Sequence, residues 1–180
     1  MSMAGPPRDV RHATQHVDVL IHQHTTVTES TNPITKEKRL LFFLNLNGVS
    51  VELLYEPNDS YQNDKEYVLE REPFKSNWRL QNFRKKPREN ASKQRGLARK
   101  YFKSLARNIL IQRPDLAQYE DTIVLEADPS ENGKLVKMYI DLDFVFLAES
   151  RSDPTGGLMY STFGHLAQED ETSFTLSNHF

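Results

Sequence analysis

The chain has 180 residues, of which 37% are apolar and 27% charged, a balance that suits one domain with a compact core and polar ends rather than a disordered chain. It contains no cysteine, which excludes disulfide stapling, a zinc–thiolate centre and a thiol nucleophile. The net charge of -2 hides an asymmetry: residues 84–107 hold ten Lys/Arg against the single acid Glu89, so this segment is +9 and the rest of the chain -11, and an anion is its expected neighbour.

In chain order, residues 1–16 carry Gly5-Pro6-Pro7, scattered His and no periodicity, and read as a flexible tail. They lack the apolar stretch of a signal peptide, and no later run is long enough to span a bilayer. A soluble cytoplasmic protein without membrane contact is therefore expected. Residues 17–28 alternate weakly through Val17, Val19 and Ile21 and predict a strand. Residues 29–38, with Pro33, form a turn. The strongest local signal follows, two apolar runs at 39–46 and 49–55 joined by Asn47-Gly48, which predicts a hairpin with a type I′ turn. Residues 57–65 are a polar loop, 66–71 are ambiguous, and 78–85 predict a strand. After a basic loop at 87–94 the period changes. Leu97, Ala98, Tyr101, Phe102, Leu105, Ala106, Ile109 and Leu110 make one helical stripe ended by Pro114. A buried-type strand at 122–127, a short amphipathic helix through Leu135, Val136, Met138, Tyr139 and Leu142, and strands at 144–148 and 158–163 complete the pattern. The acidic remainder is a loose tail over 167–180. Strands first, then strand–helix–strand–helix–strand–strand, indicate an α/β or α+β fold.

The join between the 78–85 strand and the 96–112 helix carries the chemistry. A helix start has unpaired N–H groups and partial positive charge, and so attracts phosphate. Gly96 allows close backbone approach, and Arg88, Lys93, Arg95, Arg99 and Lys100 add long-range attraction. A solvated basic helix start has the same composition, so this segment alone leaves both readings open.

Lys93-Gln94-Arg95-Gly96-Leu97-Ala98 before a helix, then Leu125-Glu126, then Asn132, Tyr139 seven residues later and Phe144 five beyond that, resembles the GNAT superfamily of acyl-CoA-dependent N-acyltransferases. The family pattern is Arg/Gln-x-x-Gly-x-Gly/Ala at the helix mouth, then Asn, Tyr and Gly-Phe at these spacings, and the resemblance covers about residues 78–163. It implies a GNAT-like domain over 17–166: one mixed, mostly antiparallel sheet with a central strand–pyrophosphate loop–helix unit and flanking helices. It implies acetyl-CoA as acyl donor and an amine, small molecule or protein, as acceptor. The cofactor-binding residues would be Phe83, Arg84 and Lys85 toward the pantetheine arm, Lys93, Gln94, Arg95, Gly96, Leu97, Ala98 and Arg99 around the pyrophosphate, and Asn132. Tyr139 would give a proton to the departing thiolate, and Glu126 would take one from the amine. Final strands in this family often pair between subunits, so a homodimer is a further implication.

Three departures stand out. Lys93 takes the place of Arg or Gln; Asp143 takes the place of the glycine that ends the second helix with positive φ; and 25–38 is too short for the helices that usually follow the first strand. Each candidate also has a plainer reading. Tyr139 sits on an apolar helix face and could be core, Glu126 could face solvent, and Asn132 could be a helix cap. The paired histidines His22/His24 and His12/His16 lack a third ligand at recognisable spacing, so no metal is expected. Two other functions stay open: a nucleic-acid-binding module using the basic stripe at 95, 99, 103 and 107 with Trp78, Phe83 and Tyr101, and an inactive GNAT-fold interaction protein.

Overall fold

The computed structural model describes residues 8–57, 76–85, 96–128, 134–149 and 157–168. In chain order the elements are α1 (Arg8–Gln23), β1 (Thr25–Thr31), β2 (Lys38–Leu46), β3 (Val49–Tyr55), β4 (Trp78–Lys85), α2 (Leu97–Gln112), β5 (Thr122–Ala127), α3 (Lys134–Asp141), β6 (Val145–Glu149), β7 (Gly157–Thr162) and α4 (Phe163–Ala167). The strands form one sheet in the order β1-β2-β3-β4-β5-β7-β6. Neighbours are antiparallel except β4 and β5, which are parallel. The mixed α/β class and mostly antiparallel sheet agree with the sequence expectation.

The β2–β3 hairpin closes as its sequence predicts. Asn47 and Gly48 have φ of 51° and 81°, the left-handed pair that a type I′ turn requires. The strands then pair from Leu46↔Val49 to Leu40↔Tyr55. On one face this register stacks Phe42 on Leu53 and Leu44 on Val51, all buried. That face continues through Phe83, Leu80 and Trp78 of β4 and Ile123 and Leu125 of β5. Helix α2 packs on it through Phe102, edge-on to Phe83 at 5.7 Å. The other three helices share the same core: Ile21 of α1, Leu142 and Phe144 at the end of α3, and Phe163 of α4, whose ring meets Trp78 at 5.0 Å. The steps from β4 to β5 and from β5 to β6 both proceed the same way along the sheet. With right-handed crossovers, α2 and α3 therefore fall on one side.

The N-terminus differs from the expectation. Residues 8–23 form α1, where a tail to residue 16 and a strand over 17–28 are predicted; the first strand covers only Thr25–Thr31. Val17 and Ile21 lie four apart, a spacing that fits both a strand face and one turn of helix. The intervening Val19 decides between them: it is 57% exposed, whereas Val17 is 9% and Ile21 0%. His22 therefore lies in the last turn of a helix and His24 beyond it, not along one strand face. The last strand likewise ends at Thr162, whose hydroxyl accepts from the His165 N–H and starts α4 with Phe163. Residues 169–180 of the expected tail, and those of the loops at 58–75, lie outside the described residues.

Asp18 ties α1 to α2. Its carboxylate accepts from Ser104 Oγ at 2.6 Å and from Arg107 Nη2 at 2.9 Å and Nε at 3.1 Å, while its backbone carbonyl accepts from Asn108 Nδ2 at 2.9 Å. Charge-assisted, two-pronged contacts of this kind are the stronger class of protein hydrogen bond, and they hold the helix that the sequence pattern does not reveal.

Candidate functional site at the divergence of two strands

Between β4 and β5 the sheet ladder consists of Trp78↔Ile123 and Arg79↔Val124. The register of β4 with β3 then shifts between Leu53↔Leu80 and Glu52↔Asn82. Gln81 is thereby left as an extra residue, a bulge that bends β4. Beyond that point β4 continues to Lys85 and β5 to Ala127 without pairing with each other. The two strands run in the same direction, so the gap opens at their C-terminal ends. That is where a parallel strand–helix–strand unit places its ligands.

The start of α2 lies at this same end, because β4 leads into it. Gly96 has φ 80° and ψ -3°, a conformation that side chains other than Gly adopt at a cost. A Cβ built there would meet nothing within 4 Å, so the space beside the helix mouth is not filled by the described residues. Only the Gly96 carbonyl is engaged by the helix, accepting from Lys100 N at 2.9 Å, and the first turn contains no acid. The N–H groups of Leu97 and Ala98 belong to the positive end of the helix, where backbone donors have no partner within the helix itself. Leu97 and Ala98 are half-buried. The hairpin tip braces this turn from the other side, with Asn47 Nδ2 donating to Tyr101 Oη at 2.8 Å. Sequence reasoning assigns Asn47 only to the turn; its bond to a residue 54 positions away carries no local signal.

The remaining candidates fall as follows. Phe83 is buried beneath α2, Arg84 is exposed on the opposite face, and Lys85 ends β4. Lys93, Gln94, Arg95 and Asn132 lie outside the described residues. Tyr139 is half-buried on α3, with its ring edge-on to Phe144 at 6.2 Å. Burial raises its pKa above the ordinary value of 10.0, and the charge of Asp128, just past the end of β5, adds to the effect. Glu126 is exposed and shares the opposite sheet face with Val124, so β5 separates it from Tyr139.

The basic stripe of α2 is neutralised within the fold. Arg99 donates to the Asp141 carbonyl at the end of α3 and, at 3.2 Å, to Asp143 Oδ2. Lys103, 4% exposed, lies 3.3 Å from the same oxygen, and His165 Nε2 lies 3.8 Å from Oδ1. Arg107 pairs with Asp18. Asp143 also has φ 70°, taking the left-handed conformation that ends α3, which Asp tolerates better than most residues. One residue thus terminates α3 and binds it to α2. Of the basic stripe, Arg99, Lys103 and Arg107 thus serve as counter-charges within the fold, while Arg95 lies outside the described residues.

Among the described residues no three His, Asp or Glu are placed to hold a metal ion, and no helix is long and apolar enough to cross a membrane. No family model matches this sequence, and neither a curated protein nor a solved structure matches it.

Burial also raises the pKa of Tyr55, helped by the charges of Asp115 and Asp121. Tyr55 and Tyr139 both hold their protons more tightly folded than unfolded. The stability they contribute is complete below pH 10 and is lost as pH rises through their raised folded values. Denaturant midpoints measured from pH 8 to 11.5 should therefore fall more steeply above pH 10 for the wild type than for Tyr55→Phe or Tyr139→Phe. Parallel curves would show that these phenols ionise freely.

Proposed function

We propose that the chain is a GNAT-type acyltransferase that binds acetyl-CoA where β4 and β5 diverge and transfers its acyl group to an amine. The observation that carries the reading is the unfilled space at Gly96, beside a helix start whose N–H groups face the open end of a bulged, parallel strand pair. In this reading the N–H groups of Gly96–Ala98 hold the pyrophosphate, and the unpaired backbone edge of β4 at Phe83–Lys85 lines the pantetheine arm. The thioester supplies an activated acyl group, so the protein needs no covalent intermediate, in keeping with a chain that lacks cysteine. A tyrosine phenol is protonated at neutral pH whether or not it is buried, so Tyr139 meets the first requirement of a donor to a leaving thiolate. Glu126, across β5, would receive the amine's proton from the other side of the cleft. The turn between β1 and β2 has no helix, so the acceptor side is smaller than the family pattern implies.

Titration with acetyl-CoA, followed by heat flow and melting temperature, tests this directly. Saturable heat and a melting temperature that rises with ligand are expected; absence of saturation at millimolar acetyl-CoA would sink the proposal. Binding without thiol release against a panel of amines would favour an inactive member of the same fold.

A further inference from the structure

The tip of the β2–β3 hairpin carries chemistry as well as a turn. The carboxamide of an asparagine can be attacked by the backbone nitrogen of the next residue, which closes a five-membered imide. Glycine in that next position leaves the nitrogen unshielded, because it has no side chain. The chain has this dipeptide twice, at Asn47-Gly48 and at Asn132-Gly133, and the second lies outside the described residues. Asn47 is exposed, so water and base reach it.

Two features of the fold oppose the attack. The φ angles of 51° and 81° hold both residues in the type I′ turn, and the pair Leu46↔Val49 fixes its two ends. The carboxamide is also tied to α2: Nδ2, the nitrogen that must leave, donates to Tyr101 Oη at 2.8 Å. Tyr101 is 4% exposed and its ring belongs to the core, so the acceptor is a fixed post. Swinging the carboxamide back onto the Gly48 nitrogen breaks that bond.

We propose that Asn47 is a site of spontaneous deamidation, held in check by its tie to Tyr101. The Gly48 nitrogen gives its proton to solvent base and bonds to Asn47 Cγ; the Cγ–Nδ2 bond breaks, and that nitrogen leaves as ammonia. Water then opens the imide at one of its two carbonyls. The product is aspartate or its β-linked isomer, in which the main chain runs through Cγ. Both replace the amide donor with a carboxylate, and the isomer also adds one backbone atom to a two-residue turn. The isomer therefore releases the hairpin tip from α2. This site does not depend on the acyl-donor reading.

The full chain is incubated at mildly alkaline pH, folded or in urea, and deamidation at each asparagine is located by fragment mass spectrometry. In urea, Asn47 and Asn132 should react at similar rates, ahead of every other asparagine. In the folded wild type Asn47 should react more slowly than in urea, and Tyr101→Phe, which keeps the buried ring, should accelerate it about fivefold, the value of one hydrogen bond. Ile123→Val, a buried change on β5 of comparable stability cost, should leave the Asn47 rate unchanged. Absence of reaction at Asn47 in urea, equal rates folded and in urea, an unchanged rate in Tyr101→Phe, or equal acceleration in Ile123→Val would each overturn the proposal.

Discussion

Asp143→Ala is expected to cost about 2–4 kcal/mol of folding stability, between the values typical of surface and buried ion pairs. The carboxylate is 27% exposed, but one of its partners, the Lys103 ammonium, is only 5% exposed. Removing the anion leaves a nearly buried cation beside the guanidinium of Arg99, 3.2 Å from the same oxygen in the wild type. The backbone adds a second cost, because Ala at φ 70° is strained by about 1 kcal/mol. The two costs can be separated. Asp143→Gly relieves the backbone but still removes the charge, and Asp143→Asn keeps tolerance of positive φ and loses only the charge. Denaturant midpoints should therefore order as wild type, then Asn and Gly, then Ala. Adding Lys103→Met to Asp143→Ala should restore part of the loss, because the cation that needed the carboxylate is gone. An Asp143→Ala protein within about 0.5 kcal/mol of wild type, the range of an ordinary surface change, would show that water solvates the cluster.

The second large effect concerns Gly96 and acetyl-CoA. Gly96→Val should weaken binding by about ten- to a hundredfold, the equivalent of one charge-assisted hydrogen bond of about 1.5–3 kcal/mol. A Cβ there meets no atom of the described residues, so bulk at this position intrudes on whatever occupies the helix mouth. Val also resists positive φ, and a stability loss of about 1–2 kcal/mol should accompany the change. Gly96→Asn separates the two effects, because Asn accepts the left-handed conformation while still projecting into the space. It should keep most of the stability and still lose affinity. Wild-type affinity in a folded Gly96→Asn protein would place the ligand elsewhere.

Where the sequence was legible, local rules and tertiary packing agreed. Asn47-Gly48 demands its turn, the long apolar stripe from Leu97 to Leu110 demands α2, and Pro114 stops it; the structure shows both elements. The first helix was obscured because Val17 and Ile21 satisfy two periods at once, and only the burial of their neighbours distinguishes them. Thr162 hid a helix start inside what reads as a strand, for a threonine suits both. At the candidate site, the positive φ of Asp143 was expected only through the family pattern, which has a glycine there and makes Asp143 a departure. Its ion partners were not, since Arg99 and Lys103 lie 44 and 40 positions away. Asp18 and Arg107, 89 apart, are a similar case. The basic stripe therefore looked like a surface for anions, when its central members are the fold's own counter-charges.

The short seam between β4 and β5 also bears on how the molecule holds together mechanically. Among the described residues, two residue pairs form the ladder between β4 and β5 across the middle of the seven-stranded sheet. On one side β1–β4 form a continuous antiparallel unit, and on the other β5–β7 form a smaller one. Cohesion between the units rests on side chains that bridge them: Trp78 against Phe42 and Phe163, and Phe102 against Phe83 and Phe144. Ser76 adds a polar stitch, its hydroxyl donating to the Thr122 carbonyl at 2.8 Å. Such a joint resists shear through packing but has few bonds to oppose opening at its unpaired end. A molecule lodged there would act as a spacer in the joint, coupling the separation of the two half-sheets to its own size.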